Sequence, residues 1–478
     1  MSIDLSTPWH KASFERFVRE RLPQLLAERL PLVGYQVEPT GRHACRMTIV
    51  LGAAGGDIQV EYAAVPQPDE EGVFEVDGQH YVVVPTASQE ELDVAEIRCV
   101  GEQLYAYVAE RLGQAPPDLS WDAALARAWL PLDTWIDAFI RTTAHRLEET
   151  NWLSRHTHLR RLIVPDRQKV TAPGQAGRTC PFETPEGSNI GRVLTIARGA
   201  EIREGRLALV DERPEAGLGP SASMIPFLEH DDPNRLLMGA NMLRQWIAQS
   251  TPEPAFVQTG NEPHAPGFWA GRNLLTAFVS WGADTVDDGI VISESCARRF
   301  DTPYPLQVGD KLSNRHGTKG VVSRILPDDE MPHLADGRPV ELIYNFFGMH
   351  VRMNFGQVRE AVMGRIARAE GARDRAVPAI VPPFHAPGED ELRQRLDRAG
   401  LSASGMETLT RGRGGPQLER PSTAGWVYWG RLVHLAGDKI WASVGGPKAQ
   451  MQGELETAAL REVGAYENVR EILNTRAA

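Results

Sequence analysis

No run of about 18 apolar residues occurs anywhere in the chain, so no segment is expected to span a membrane. The opening stretch, Met1-Ser-Ile-Asp-Leu-Ser6, has no basic region followed by an apolar one. No secretory signal is expected there, and the expected location is cytoplasmic. Cysteine is scarce: Cys45, Cys99, Cys180 and Cys296 lie far apart and form no CxxC pair. That pattern argues against a structural zinc site and against a disulfide framework, and it fits a reducing compartment. An excess of positive charge is missing too. Lys and Arg number 51 against 63 Asp and Glu, a net charge of −12, so the overall basic footprint of a nucleic-acid binder is absent. Internal repeats and low-complexity tracts are absent as well.

The 478 residues are 42% hydrophobic, ample for a core, and their number points to two or three packed units. Charge is unevenly spread. Arg141, Arg146, Arg155, Arg160, Arg161, Arg167, Lys169 and Arg178 face only Glu148, Glu149 and Asp166 in the same stretch. A local basic channel within an acidic surface would meet the needs of a polyanion. An ordinary charged helix and loop would leave the same trace.

Residues 13–30 read as an amphipathic helix, with Phe14, Phe17, Val18, Leu22, Leu25 and Leu26 near a 3.6 period. Pro23 is a candidate kink within it. Val73 to Val84 reads as two strands about Asp77-Gly78. Helices are expected over Glu102–Leu112 and Trp121–Arg146, the second interrupted at Pro131, and over Glu389–Ala399 after a Pro382–Gly388 loop. From about 160 to 350 short β-rich runs are split by Gly and Pro, and two helices about Gly464 close the chain.

The densest chemistry lies in Gly309-Asp-Lys-Leu-Ser-Asn-Arg-His-Gly-Thr-Lys-Gly320. Lys311 and Lys319 are framed by three glycines, with Arg315 and His316 between them. Glycine lets the backbone approach a ligand, and lysine offers a compact charge suited to phosphate. The bland alternative is a solvated basic turn. A Walker loop is excluded, because the order of glycines and lysine is wrong and no Ser or Thr follows Lys319.

This stretch resembles the active-centre signature of the bacterial RNA polymerase β subunit family. Other segments follow in the family's order: Arg178–Gly191 with its Glu183-Thr-Pro-Glu-Gly187, Met224–Gln245, Ser280–Glu294, Val351–Gln357 and Lys448–Gln450, with weaker likeness back to Gly72–Val84. The resemblance implies an α+β fold: a double-psi β-barrel core of β-subunit type with hybrid β elements and peripheral helices. It divides the chain into a protrusion and reduced lobe-like region over 1–145, a fork and first barrel half over 146–300, an active-centre barrel half over 301–380, and a hybrid-binding, clamp-like region over 381–478.

The same resemblance assigns roles. Lys311 and Lys319 would lie beside the RNA 3′ end and the incoming phosphates, and Arg235 and Arg352 would approach the nucleotide triphosphate. Salt bridging on a helix surface is the structural alternative for those two arginines. Asn189, Gln245, Arg161, His158 and Lys448 would contact RNA or other nucleic acid. Asp288, with Asp287 where the family has a longer glutamate, would stand near a second Mg²⁺ shared with a partner. The principal Mg²⁺ site, a triple-aspartate loop, belongs to the β′ subunit and has no counterpart in this sequence. No zinc is expected. The implied partners are a β′-like chain, an α-like dimer, DNA template, RNA and nucleoside triphosphates, with no membrane.

Departures from the family matter equally. The nine residues Phe300–Val308 stand where the family carries its flap, leaving nothing for flap-bound σ factor to hold. The lobe between 85 and 140 is collapsed, and Ile440–Pro447 is a contracted loop. Around 145–163 the chain resembles the family's rifamycin-binding cluster, keeping Asn151, Ser154, His158 and Arg161, with Glu148 for aspartate and Ile163 for serine. Two functions lead: a reduced β-like subunit of a DNA-directed RNA polymerase, inactive without a β′-like chain, or a catalytically silent paralogue that binds polymerase subunits or assembly factors; polymerisation on RNA or without a template stays open as a third.

Overall fold

The computed structural model describes residues 5–53, 56–89, 91–112, 122–165, 173–371, 377–439, 460–461 and 463–475. Its N-terminal unit starts with helical turns over Trp9–Arg16, a π segment Phe17–Arg21 and a helix Leu22–Arg29. The expected helix is therefore present and longer. Pro23 falls in the first turn of the last piece, where the missing N–H is tolerated, and the π segment just before it absorbs the change in hydrogen-bond spacing. Phe14, Phe17, Val18, Leu22, Leu25 and Leu26 are all buried against a three-stranded antiparallel sheet, Leu32–Pro39, Ala44–Leu51 and Ile58–Pro66. In its central strand Cys45, Met47, Ile49 and Leu51 point inward at every second position, so a one-residue slip would expose the whole set.

The hairpin is Phe74–Val76 and Gln79–Val82, with Asp77 and Gly78 both left-handed at the turn (φ 51° and 69°), the geometry that matches strand twist. Helices Val100–Arg111, Ala123–Trp129 and Leu132–Thr143 complete the unit. The break at Leu130-Pro131 falls where the sequence places it.

The centre of the chain is a closed six-stranded barrel. Its strands are β1 (Arg272–Phe278), β2 (Gly289–Ser293), β3 (Lys311–Asn314), β4 (Lys319–Leu326), β5 (Leu342–Tyr344) and β6 (Ser422–Arg431), in spatial order β1-β5-β2-β4-β3-β6 with β6 pairing back onto β1. β1 with β5, and β2 with β4, run parallel; the other pairs are antiparallel. Every residue of β1 and β2 is buried, because one side of each strand fills the barrel and the other packs under surrounding segments. Leu274, Ile290, Ile292, Leu312, Tyr344 and Trp429 share one core cluster, and Trp429 Nε1 donates to Thr276 Oγ1 at 3.0 Å across it. The closing strand β6 comes from the segment whose expected role was a clamp-like region.

Helices around the barrel include α1 (Trp152–Leu159), α2 (Pro233–Leu243), α3 (Phe346–Arg352) and α4 (Gly356–Glu370). The helix Glu389–Arg398 and the last helix, Tyr466–Thr475, are present as expected. The first of the two expected C-terminal helices, Ile440–Pro447 and Lys448 lie outside the described residues. Among the described residues no helix is long and apolar enough to cross a membrane. All four cysteines are buried free thiols.

Candidate active site at the lysine hairpin

β3 and β4 pair in the register Lys311↔Val321, Leu312↔Gly320 and Ser313↔Lys319. Paired and alternate residues share a face, so Lys311 and Lys319 project from the same side of the sheet. Both are half-buried. Together with Glu186, Asn241, Gln245 and His434 they line a cleft of about 730 Å³. A second chamber of about 1110 Å³ adjoins it, lined by Glu148, Arg161, Ile163, Asn189 and Arg244, and Pro185, Asn241 and Gln245 line both. Five of the expected residues thus converge on one trough: Lys311, Lys319, Gln245, Asn189 and Arg161.

The turn between the lysines is not the solvated basic loop of the bland reading. Arg315 and His316 are buried, 2% and 0% exposed, among polar partners. Asn314 Oδ1 accepts from the N–H groups of His316 and Thr318 at 3.0 and 3.2 Å, and Gln357 Oε1 accepts from Asn314 Nδ2 and Thr318 Oγ1. Arg315 donates to Met224 O, Val257 O and Glu360 Oε1, the last at 2.7 Å. His316 Nδ1 lies 2.6 Å from Asp231 Oδ2, and its Nε2 lies 2.6 Å from Glu360 Oε2. Burial opposes the imidazolium, but the two carboxylates outweigh it and push the His316 pKa up to about 9. Burial also pushes the Asp231 carboxyl up; for Glu360 the same burial is outweighed by Arg315 and His316, which hold it below the usual range.

Two glycines are dictated by approach. A Cβ on Gly317, which sits at φ 78°, would come 2.3 Å from Arg235 O of α2, and one on Gly320 would come 2.3 Å from Asp288 O. The hairpin is thereby pressed against both the arginine helix and the aspartate turn.

Arg352, Asp288 and Tyr344 form one cluster at that edge. Arg352 grips Asp288 with both terminal nitrogens, Nη2 to Oδ2 at 2.7 Å and Nη1 to Oδ1. Its Nη1 also donates to the Tyr344 hydroxyl oxygen at 2.8 Å, and that hydroxyl donates to Asp288 Oδ1 at 2.9 Å. The hydrogen bond to Asp288 is the main reason the Arg352 guanidinium holds its proton more tightly than usual. Arg235 is pushed the other way, by partial burial and then by Arg352 beside it. Asp287 and Asp288 are both left-handed, at φ 53° and 67°, and the Asp287 side chain is exposed. Among the described residues no three His, Cys, Asp or Glu side chains gather as a metal site.

Other expected contacts are placed differently. His158 is 2% exposed, and its Nδ1 accepts the Glu148 N–H at 3.0 Å. Burial first, then Arg161, pushes its pKa down to about 2, so it is a neutral, buried strut beside the trough. Asn151 and Ser154 are likewise buried, forming the capping box of α1, and Asn151 Nδ2 ties to Leu243 O and Trp246 O. Arg161 does face the trough but is held in a fork by Glu148, both contacts at 2.8 Å. Two residues escaped the sequence reading. Arg244 faces the second chamber and bonds Asn241 one helical turn back, a spacing visible in the sequence. Tyr344 gave no signal, because its partner Asp288 is 56 residues away.

The fold sets the class first: a mixed α+β chain built on a closed six-stranded barrel, with two lysines presented to a cleft at its rim. Two stretches match family models, residues 145–202 that of RNA polymerase Rpb2, domain 3, and residues 302–453 that of RNA polymerase Rpb2, domain 6. The first holds Arg161 and Asn189; the second holds both lysines, Arg352 and β6. Similar relatives include the DNA-directed RNA polymerase subunit beta of Solibacter usitatus, 41% identical over 186 residues, which is 36% of this chain and 13% of the relative. Those of Chloroflexus aggregans and Caldicellulosiruptor saccharolyticus are 40% and 39% identical over 186 residues, in each case 36% of this chain and 15% of the relative. These matches support a bacterial RNA polymerase β-like subunit, and they span only about a seventh of the length of the curated relatives.

Proposed function

We propose that the chain is the β-like half of a two-chain centre of DNA-directed RNA synthesis. The observation that carries this is the convergence of Lys311, Lys319 and Gln245 on one cleft, with Arg235, Arg352 and Asp288 at its edge. In nucleotidyl transfer the RNA 3′-oxygen attacks the α-phosphorus, the new P–O bond forms as the bond to pyrophosphate breaks, and negative charge builds on the leaving group. Lys311 and Lys319 supply compact positive charge where the 3′ end and phosphates meet, and Arg235 and Arg352 supply planar forks for phosphate oxygens. Asn189, Gln245 and Arg161, with Arg244, line the trough in which an RNA strand would run. Mg²⁺, held mainly by a β′-like partner's carboxylates and at its second site by Asp288 and Asp287, would neutralise phosphate charge. In this reading the barrel is of double-psi type, an α-like dimer assists assembly, and the short Phe300–Val308 bridge makes initiation independent of flap-bound σ.

The chain assembled with a triple-aspartate β′-like partner should extend a primed RNA–DNA scaffold in the presence of Mg²⁺, and the isolated chain should make no RNA. Synthesis by the isolated chain, or none by any assembled complex, would refute the proposal. A silent paralogue is the second reading, favoured by one observation: Arg352 and Asp288 already satisfy each other. That reading expects partner binding without extension.

A further inference from the structure

His316 has both ring nitrogens on carboxylates, each at 2.6 Å, and no part of it reaches solvent. A neutral imidazole carries one N–H, so one of those contacts would set a lone pair against a carboxylate oxygen. Glu360 also accepts from Arg315 Nη2 at 2.7 Å and from the Tyr428 N–H at 2.8 Å, and Asp231 accepts the Gly356 N–H at 2.8 Å. Those donors favour ionised carboxylates, which leaves the proton on the ring. Asp231, His316, Glu360 and Arg315 then make two anions and two cations, sealed from water and balanced. Sealed charges are costly unless paired, so the balance is what the site depends on.

The members of this cluster lie on or beside the segments that carry Lys311, Lys319, Arg235 and Arg352. Asp231 precedes Asp232, the N-cap of α2, which bears Arg235. It also holds the N–H of Gly356, the first residue of α4, four residues after Arg352. Glu360 is on α4 and fixes β6 through Tyr428. His316 itself sits in the turn between Lys311 and Lys319. We propose that His316, as a cation between Asp231 and Glu360, is the positioning residue that holds Lys311, Lys319, Arg235 and Arg352 in one frame for nucleotidyl transfer, a role that rests on the polymerase reading above. It touches no substrate; its effect reaches the reacting atoms through the hairpin backbone and α2.

His316→Gln keeps one hydrogen bond but removes the cation, leaving Asp231 buried without a counter-charge. Adding Asp231→Asn restores neutrality. In the assembled complex on a primed scaffold, the single variant should lose about 100-fold in kcat with little change in the nucleotide KM, the loss that a misplacement of about 1 Å brings. The double variant should regain at least about tenfold of it, within the range of coupling seen for neighbouring residues. A merely structural role would make kcat follow the melting temperature; rescue by neutral charge at an unchanged melting temperature would not arise from it. A second arm needs no activity. In the isolated chain, with ¹⁵N-labelled histidine and His316→Gln for assignment, His316 should carry protons on both nitrogens at about pH 8, where an ordinary histidine is neutral. Amide exchange across residues 314–320 should quicken in the single variant and slow again in the double. A neutral His316 at that pH, or a double variant no better than the single in both exchange and kcat, overturns the proposal. If the wild-type complex makes no RNA, the polymerase reading falls, and the positioning of the hairpin is still decided by the exchange data.

Discussion

Removing the buried guanidinium of Arg431 should destabilise the barrel more than any surface change. Arg431 and Asp310 are both 0% exposed and 2.6 Å apart. The arginine also donates to the carbonyls of Phe300, Thr302 and Tyr304, and Asp310 accepts the N–H groups of Gln307 and Ala436, both at 2.8 Å. One ion pair therefore ties the 300–308 bridge, the start of the lysine hairpin and the segment after β6. Arg431→Met preserves most of the volume and strips every one of those donors. Breaking a buried pair by removing one partner costs about 3–5 kcal/mol. For a unit of 150–250 residues, each kcal/mol lowers the midpoint by about 2–4 °C, so a fall of roughly 6–20 °C is expected. Thermal melting followed by tryptophan fluorescence suits the test, since Trp429 lies two residues away inside the barrel. Combined with Asp310→Asn, the two losses should fall short of additive by about 1–3 kcal/mol. Breaking the exposed Arg298–Glu294 pair should leave the midpoint unchanged. An Arg431→Met midpoint within about 2 °C of wild type, less than a single kcal/mol would move it, would refute the reasoning.

Replacing both Lys311 and Lys319 by alanine should cut extension by about 10²–10³-fold per preorganised donor lost, with partner assembly intact; wild-type extension rates would remove them from the mechanism. His10 and His158 are buried with pKa values pushed down to about 4 and about 2, in both cases chiefly by burial, so the folded state resists protons that the unfolded chain takes up below about pH 6.5. Their stabilisation is complete above that pH and is lost as pH falls. By pH 5 each should have forfeited about 2 kcal/mol, read as a lower urea midpoint than at pH 7, and replacing both histidines by glutamine should flatten that dependence. Rifamycin should inhibit the assembled complex weakly. Ile163 lines the chamber beside Arg161 with no hydroxyl to bond, a loss of about 1–3 kcal/mol or roughly 5- to 150-fold, and sub-micromolar inhibition would contradict it.

Local patterns in the sequence were reliable where local physics decides. The Asp77-Gly78 turn, the apolar stripe from Phe14 to Leu26 and the break at Pro131 each stand where propensity places them. Barrel closure is not local: Arg272 pairs with Trp429 across the chain, and nothing near β6 marks it as the strand that completes a ring. The two lysines were marked in the sequence by their glycine frame and by resemblance, whereas the strand pairing that puts residues 311, 313, 319 and 321 on one face was not. Burial of charge was not. Arg315 and His316 are residue types that usually face water, and only the distant carboxylates of Asp231 and Glu360 make their burial possible. The same holds in reverse for Asn151, Ser154 and His158, which the resemblance placed in a ligand-binding cluster and which serve the cap and underside of one helix.

If the cleft takes a nucleoside triphosphate as proposed, the mutual grip of Arg352 and Asp288 would make its edge a gate that answers to two signals together. A phosphate alone would draw Arg352 away and strand the aspartate, and a cation alone would strand the arginine. A triphosphate carrying its cation offers each group a new partner at the same moment, and the Tyr344 hydroxyl can follow either. Apparent affinity for either signal alone would be scaled down by the fraction of time the pair stands open, and the joint ligand would escape that penalty. On that reading, discrimination against free anions and free cations would be built into the resting pair, before any reaction begins.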